Sequence, residues 1–200
     1  MPFNTQEEKF SYAIGLSLAS NLLQSRITSI EFDAMFEAIK DVMEGRMPKI
    51  APQEANGVIE EFFKKQQTNL GEINHKEGEA FLAINKNTEG VVSLESGLQY
   101  MVIAEGTGSK PKASDKVKCH YHGTLINGTI FDSSVQRNEP AVFPINGVIK
   151  GWVEALQLMS TGSKWRLFIP PHLAYGDHGA GGAIGPKATL IFDVELLEIM

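Results

Sequence analysis

Cys119, His120 and His122 sit close together and carry the most reactive side-chain types of the chain. A thiolate is a nucleophile, and an imidazole is a base or a metal ligand. If residues 116–123 form a strand, alternation puts His120 and His122 on one face and Cys119 on the other, beside Val117 and Tyr121. Two imidazoles without a nearby third ligand make a weak transition-metal site, so no metal is expected there. Cys119 among apolar neighbours reads as a small buried hydrophobe rather than a reactive thiolate. No serine, histidine and aspartate stand at a spacing usable for nucleophilic catalysis. The glycine-rich run 176–185 lacks the G-K-[ST] ending of a phosphate loop and does not match G-x-G-x-x-G leading into a helix. It reads as a flexible loop. Asp132, ahead of two serines, has the setting of an ordinary turn or cap residue. The aromatic residues of the same half are, by type, more often core than site.

The elements that would position these residues fall into two grammars. After Thr88, residues 98–104, 116–123, 141–145, 163–169 and 188–199 are short runs of Val, Ile, Phe, Tyr and Leu punctuated by Gly, Pro and Asn-Gly. Asn127-Gly128 suits a tight hairpin turn with φ > 0 at both positions. Residues 149–158 alone read as a helix in this half. The result is an α+β arrangement, an antiparallel sheet with one short helix.

The first half is helical by period. Thr5 and Glu8 have the spacing of a capping box, and a helix over about residues 6–25 follows. Thr28 and Glu31 repeat that signal. Phe32, Met35, Phe36, Ile39, Val42 and Met43 then share one helical face, and Gly45 with Pro48 should stop the helix near Glu44. Pro52 suits a first helical position, and a third helix could run to about Lys86. Its stripe is Ile59, Phe62, Gln66, Leu70, Ile73, Glu77, Phe81 and Ile84, mostly apolar. Such a helix would be about 50 Å long. Gly57, Gly71 and Gly78 each cost it ~1 kcal/mol, which leaves a continuous and a broken helix both open. The chain therefore divides into a helical module over 1–50, a connecting helix and linker over 51–90, and a sheet domain over 91–200.

Composition bounds the function. The chain has 200 residues, 42% of them apolar, and a net charge of −6. A basic footprint for nucleic acid is missing, so no nucleic-acid partner is expected. One cysteine excludes an intrachain disulfide and fits a reducing compartment. The start MPFNTQEEKF does not have the form of a secretory leader, and residues 14–23 are too short and polar to span a bilayer. A cytoplasmic protein with no membrane partner is expected if Met1 is the natural start; a leader removed ahead of it would allow the periplasm. The apolar stripes of the first helices need covering, either by a second copy of the chain or by the chain's own C-terminal half.

Several segments resemble the FKBP-type peptidyl-prolyl cis-trans isomerases. They are Tyr121-His122-Gly123-Thr124-Leu125, Gly128-Thr129-Ile130-Phe131-Asp132-Ser133-Ser134, Val148 to Leu156 (VIKGWVEAL), Leu173-Ala174-Tyr175-Gly176 and Ala188 to Leu196 (ATLIFDVEL). Order and spacing also agree over about residues 95–200. The helical half, with Gly78-Glu79-Ala80-Phe81-Leu82 and Ser96-Gly97-Leu98-Gln99-Tyr100, resembles the bacterial macrophage-infectivity-potentiator subgroup, in its short form without a signal peptide. The resemblance implies an N-terminal all-helical dimerisation module, a long connecting helix and an FKBP-like sheet wrapped on one short helix.

By that resemblance the activity is rotation of X–Pro bonds in folding chains, without cofactor or metal. Trp152 is the floor under the proline ring; Tyr121, Phe131, Phe143 and Phe192 are walls. Val148 and Ile149 add aliphatic surface, and the Ile149 N–H is a donor to a peptide carbonyl. Tyr175 offers a phenol and Asp132 a carboxylate, paired with Arg137; Ile184 borders the pocket. The implied partners are unfolded or proline-containing polypeptides, a second copy of the chain, and macrolide immunosuppressant-type inhibitors. A dimeric holding chaperone with incidental catalysis is the alternative. Ala141 stands where the family often has an aromatic wall residue, and Ala180 and Ala183 where bulkier loop residues are common, so a more open rim is expected.

Overall fold

The computed structural model describes residues 3–25, 27 and 29–200, which form two compact units meeting at Ile59 and Glu60. In the first unit, α1 (Gln6–Gln24) opens on Thr5, whose Oγ1 accepts the Glu8 N–H at 3.1 Å. The return bond of the capping box lands one residue earlier than expected: Glu8 Oε2 accepts the Asn4 N–H at 2.7 Å. Helix α2 (Phe32–Met43) ends at Glu44, with Gly45 at φ +67 completing the stop. Of its expected capping box, Thr28 lies outside the described residues, and Glu31 is itself the N-cap and makes no side-chain cap bond. Arg46 Nε pairs with Asp41 at 3.2 Å and Lys49 with Glu37 at 2.6 Å, closing the turn after α2. Neither helix buries an apolar side chain; Phe10, Leu23, Phe32, Phe36, Val42 and Met43 are all exposed.

Helix α3 (Pro52–Asn85) is continuous through all three glycines. The portion from Glu60 onward belongs to the second unit. There Gly71 and Gly78 are buried against the segment that leads into the last strand. A Cβ on Gly71 would touch Pro186 at 3.5 Å, an ordinary contact, whereas one on Gly78 would overlap Thr189 Oγ1 and lie 3.2 Å from Thr189 Cβ. The two glycines should therefore respond to alanine with opposite signs. Gly71→Ala should stabilise by about 0.5–1 kcal/mol through helix propensity, and Gly78→Ala should destabilise because Thr189 must move. Thermal unfolding of the two variants measures this. A Gly78→Ala chain as stabilised as Gly71→Ala would show that the contact is not tight.

The rest of the second unit is a seven-stranded antiparallel sheet. Its strands are β1 (Val91–Ser93), β2 (Gln99–Ala104), β3 (Lys116–Leu125), β4 (Ile130–Ser133), β5 (Ala141–Pro144), β6 (Lys164–Ile169) and β7 (Leu190–Ile199). The order is β1-β2-β6-β7-β3-β4, with β5 also on β3. Strand β3 pairs with β7 along its whole length, while β4 and β5 share its other edge at His122–Thr124 and Lys116–Cys119. The hairpin turn between β3 and β4 uses φ > 0 only at Gly128 (φ +83); Asn127 instead accepts the Thr129 N–H through Oδ1 at 3.0 Å.

Period-2 alternation sends Val117, Cys119 and Tyr121 of β3 and Leu190, Phe192, Val194 and Leu196 of β7 to one buried face. Against that face packs α4 (Lys150–Leu158), which buries Gly151, Trp152, Ala155 and Leu156. Burial pushes the Cys119 thiol up to about 12, which makes it an inert core group. The opposite face carries the bidentate pair of Arg166 and Asp193, at 2.6 and 2.7 Å. It also carries His120 and His122, whose Nδ1 atoms lie 3.1 and 2.9 Å from the hydroxyls of Ser134 and Ser133.

Candidate active site

Helix α4 starts immediately after Ile149, and its first turn lifts Trp152 into the concave face of the sheet. The indole is met edge-on by three rings: Tyr121 at 5.5 Å, Phe143 at 5.7 Å and Phe192 at 5.3 Å between centroids, with interplanar angles of 81–82°. Phe131 meets Phe192 in the same way at 5.3 Å. Edge-to-face packing leaves ring faces and edges lining a space rather than filling it. That space is a cavity of about 590 Å³ lined by Tyr121, Phe131, Asp132, Phe143, Gly147, Val148, Ile149, Trp152, Tyr175, Ala180, Gly181, Ala183, Ile184 and Phe192.

A glycine lets the rings converge. Gly123 on β3 lies opposite Phe192 on β7, and a Cβ there would come within 2.6 Å of Phe131 Cε2 and 2.8 Å of Phe192 Cε1. Gly123→Ala should push one ring into the cavity. An unchanged affinity for an apolar ligand would place those rings elsewhere.

The polar groups gather at one side. Tyr121 Oη donates to Asp132 Oδ2 at 2.5 Å, Arg137 Nη1 donates to Asp132 Oδ1, and Arg137 Nη2 donates to Tyr121 Oη at 2.8 Å. The guanidinium also stands 5.8 Å from the Tyr121 ring centroid. The two serines after Asp132 set this geometry. Ser134 Oγ accepts the Tyr121 N–H at 2.7 Å and donates to its carbonyl at 3.2 Å, and Ser133 Oγ accepts the Gln136 N–H at 3.1 Å. They fasten the turn that carries Arg137 to the strand that carries Tyr121.

Charges follow from these contacts. Burial pushes the Asp132 carboxyl up, but hydrogen bonds from Tyr121 and Arg137 and the guanidinium charge outweigh it and hold the carboxyl below its ordinary value. Burial raises the Tyr121 phenol, and its bond to Asp132 raises it further; burial and then the Asp132 charge raise Tyr175. The carboxylate is therefore kept as pH falls through the ordinary carboxylate range, and is lost only below it. Both phenols stay protonated through the ordinary phenol range. Turnover per mole of folded protein should be level from roughly pH 5 to 9. A titration limb near pH 6–7 in kcat/KM would place a histidine in the reaction instead.

The sequence-derived residues Tyr121, Phe131, Asp132, Phe143, Val148, Ile149, Trp152, Tyr175, Ile184 and Phe192 all line this one cavity, while Arg137 stands behind Asp132 and Tyr121. Ala180 and Ala183 belong to the lining and Ala141 does not. The Ile149 N–H makes no hydrogen bond among the described residues. Gly147 and Gly123 were not foreseen; for Gly123 the available signal was a glycine inside a strand, which marks a close approach. Among the described residues no three His, Cys, Asp or Glu side chains gather to hold a metal ion.

An apolar cavity with an indole at its base and a few fixed hydrogen-bonding groups has the form of a small-ligand site without a nucleophile. The comparisons with known proteins give the family. A model of the FKBP-type peptidyl-prolyl cis-trans isomerase domain matches residues 107–197, and one of the domain amino-terminal to it matches residues 7–102. The chain is 45% identical to the FKBP-type 22 kDa peptidyl-prolyl cis-trans isomerase of Escherichia coli, over 99% of this chain and 98% of the relative. It is 42% identical to the outer membrane protein MIP of Legionella longbeachae, over 98% and 86% of the two chains. The crystal structure of FkpA from Escherichia coli superposes with a TM-score of 0.76 at 34% identity, covering 99% and 98%. The chain belongs to the FKBP-type peptidyl-prolyl cis-trans isomerases, and its activity is peptidyl-prolyl cis-trans isomerisation. No described helix is long and apolar enough to cross a membrane.

Proposed function

We propose that X–Pro rotation takes place in the aromatic cavity, by non-covalent stabilisation of the twisted amide. Amide resonance sets a barrier of ~18–20 kcal/mol, and twisting the bond decouples the nitrogen lone pair from the carbonyl. The twisted amide is less charge-separated than the planar one, so a dry apolar enclosure favours it relative to water. The proline ring rests on Trp152 between Tyr121, Phe143 and Phe192. Val148 and Ile149 flank the chain, and the Ile149 N–H donates to a peptide carbonyl. Phe131, Asp132 and Tyr175 stand beside the rotating bond, and Arg137 keeps Asp132 ionised and in place.

The observation that carries this reading is an indole and the Tyr121–Asp132 pair lining one cavity, with Arg137 bonded to both members of the pair from behind. A protease-coupled assay on a proline tetrapeptide tests it. Asp132→Ala and Tyr121→Ala should each lower kcat/KM roughly 10-fold or more, the scale of a lost charge-assisted hydrogen bond. Folded variants with full activity would remove both residues from the site. Macrolide inhibitors of the immunosuppressant type should compete with the peptide for the same cavity.

The exposed apolar faces of α1 and α2 support a homodimer through the residues before about 50, with Phe32, Met35, Phe36, Ile39 and Met43 at its contact. Sedimentation of the full chain tests this, and a monomer at micromolar concentration ends it. The same faces favour, as a second reading, a holding role toward unfolded chains. That role predicts suppression of aggregation by a chain whose cavity has been inactivated. For the compartment the cytoplasm and the periplasm both stand, and fractionation of the source cells decides between them.

A further inference from the structure

The loop from Gly176 to Lys187 has two sides. Toward the cavity it presents Ala180, Gly181, Ala183 and Ile184, so Ile184 is the one bulky side chain that it contributes. It is closed on itself by mutual backbone bonds between Ala180 and Ile184, at 2.9 and 3.0 Å, and at its neck by the Lys187 N–H on the Gly176 carbonyl at 2.8 Å. Lys187 sits at φ +53, a left-handed conformation that a side-chain-bearing residue keeps only where its surroundings impose it.

The other side of the loop rests on the part of α3 that belongs to the same unit. Asn74 Nδ2 donates to the Pro186 carbonyl at 2.8 Å, a bond spanning 112 residues of sequence. A Cβ on Gly185 would lie 2.9 Å from Asn74 Nδ2 and 3.1 Å from Leu70 Cδ2, so the backbone next to Ile184 lies directly on the helix. This side-chain hydrogen bond from the helix thus reaches the loop two residues from the rim's bulky wall.

We propose that Asn74 is a positioning residue for the isomerase site: through the Pro186 carbonyl it fixes Ile184 in the cavity wall, and the Leu70–Asn74 turn of α3 is part of the substrate-binding apparatus. This rests on the reading of the cavity as the substrate site. Ile184 contributes apolar wall and no polar group to the rotating amide, so a displaced Ile184 weakens peptide binding more than it slows rotation. The signature is a change in KM with kcat largely kept.

The experiment is a double-mutant cycle on the full chain, with KM and kcat for a proline tetrapeptide and a melting curve for each variant. Asn74→Asp keeps the shape and removes the donor; Ile184→Ala removes the wall. Asn74→Asp should raise KM roughly 3- to 10-fold, the scale of one hydrogen bond, in the otherwise unaltered chain and leave it nearly unchanged in the Ile184→Ala background. Leu70→Ala, which opens space behind Gly185 without touching the amide, should move KM in the same direction. A loss of folded protein alone would lower the apparent kcat and leave KM where it was. The inference is overturned if Ile184→Ala raises KM while Asn74→Asp and Leu70→Ala do not, or if Asn74→Asp raises KM equally in both backgrounds. If Ile184→Ala itself leaves KM unchanged, the cavity reading fails first, and the role of Asn74 falls with it.

Discussion

Trp152→Ala is expected to lower kcat/KM on proline tetrapeptides by about 100-fold or more and to destabilise the second unit by ~3–5 kcal/mol. The indole is 4% exposed and is met by three rings edge-on, so its removal opens the floor of the cavity and deprives Tyr121, Phe143 and Phe192 of their common contact. Its Nε1 has no hydrogen-bond partner among the described residues, so the loss is one of packing and shape. Trp152→Phe separates the two effects: it keeps an aromatic floor of smaller area, and should recover most of the stability and part of the activity. Chemical unfolding paired with the tetrapeptide assay measures both. A stable, fully active Trp152→Ala protein would mean that the proline ring rests elsewhere.

Removing residues 1–59 should leave tetrapeptide turnover nearly intact while slowing catalysis of a proline-limited refolding protein by roughly 10- to 100-fold. The cut falls between the two compact units and keeps the portion of α3 that lies on the loop bearing Ile184. The cavity is complete in what remains, so a short peptide finds the same site. A long unfolded chain loses the apolar surface of α1 and α2, and with it a second point of attachment. Equal rates of both proteins on the refolding substrate would show that the helices add nothing to capture. A cut near residue 90 should behave differently, because it also removes Leu70 and Asn74 and should raise KM even for a tetrapeptide.

The sheet was legible because its two longest strands, β3 and β7, alternate along most of their length. Val117, Cys119 and Tyr121 alternate with His120 and His122 as their types suggest, and the inward set is the buried set. The strands β1 and β4 are three and four residues long and were not read as strand runs. The start of α1 and the stop of α2 were carried by Thr5, Glu8 and Gly45, which act through local backbone conformation and bonds that sequence spacing expresses directly.

The continuity of α3 was not legible. Its glycines count against a helix locally, and what offsets that cost for Gly78 is a contact with Thr189, 111 positions further along the chain. The cavity divides in the same manner. Its aromatic residues were found through resemblance, since by type alone each could as well have been core. Gly123, Gly147 and Asn74 act by leaving room or by reaching a distant carbonyl, and neither property shows in residue type.

The most direct measurement is exchange NMR of a proline tetrapeptide in the presence of a catalytic amount of the protein, followed by titration of the labelled protein with the same peptide. The chain has two tryptophans: Trp152 in the cavity, and Trp165, whose ring stacks on Tyr100 at 4.2 Å and takes no part in the lining. The account predicts cis–trans exchange accelerated by the protein, a shifted Trp152 indole signal, an unmoved Trp165 signal, and loss of the acceleration in a folded Asp132→Ala, Tyr121→Ala double variant. Acceleration that persists in the double variant with the Trp152 signal unmoved by peptide would contradict it.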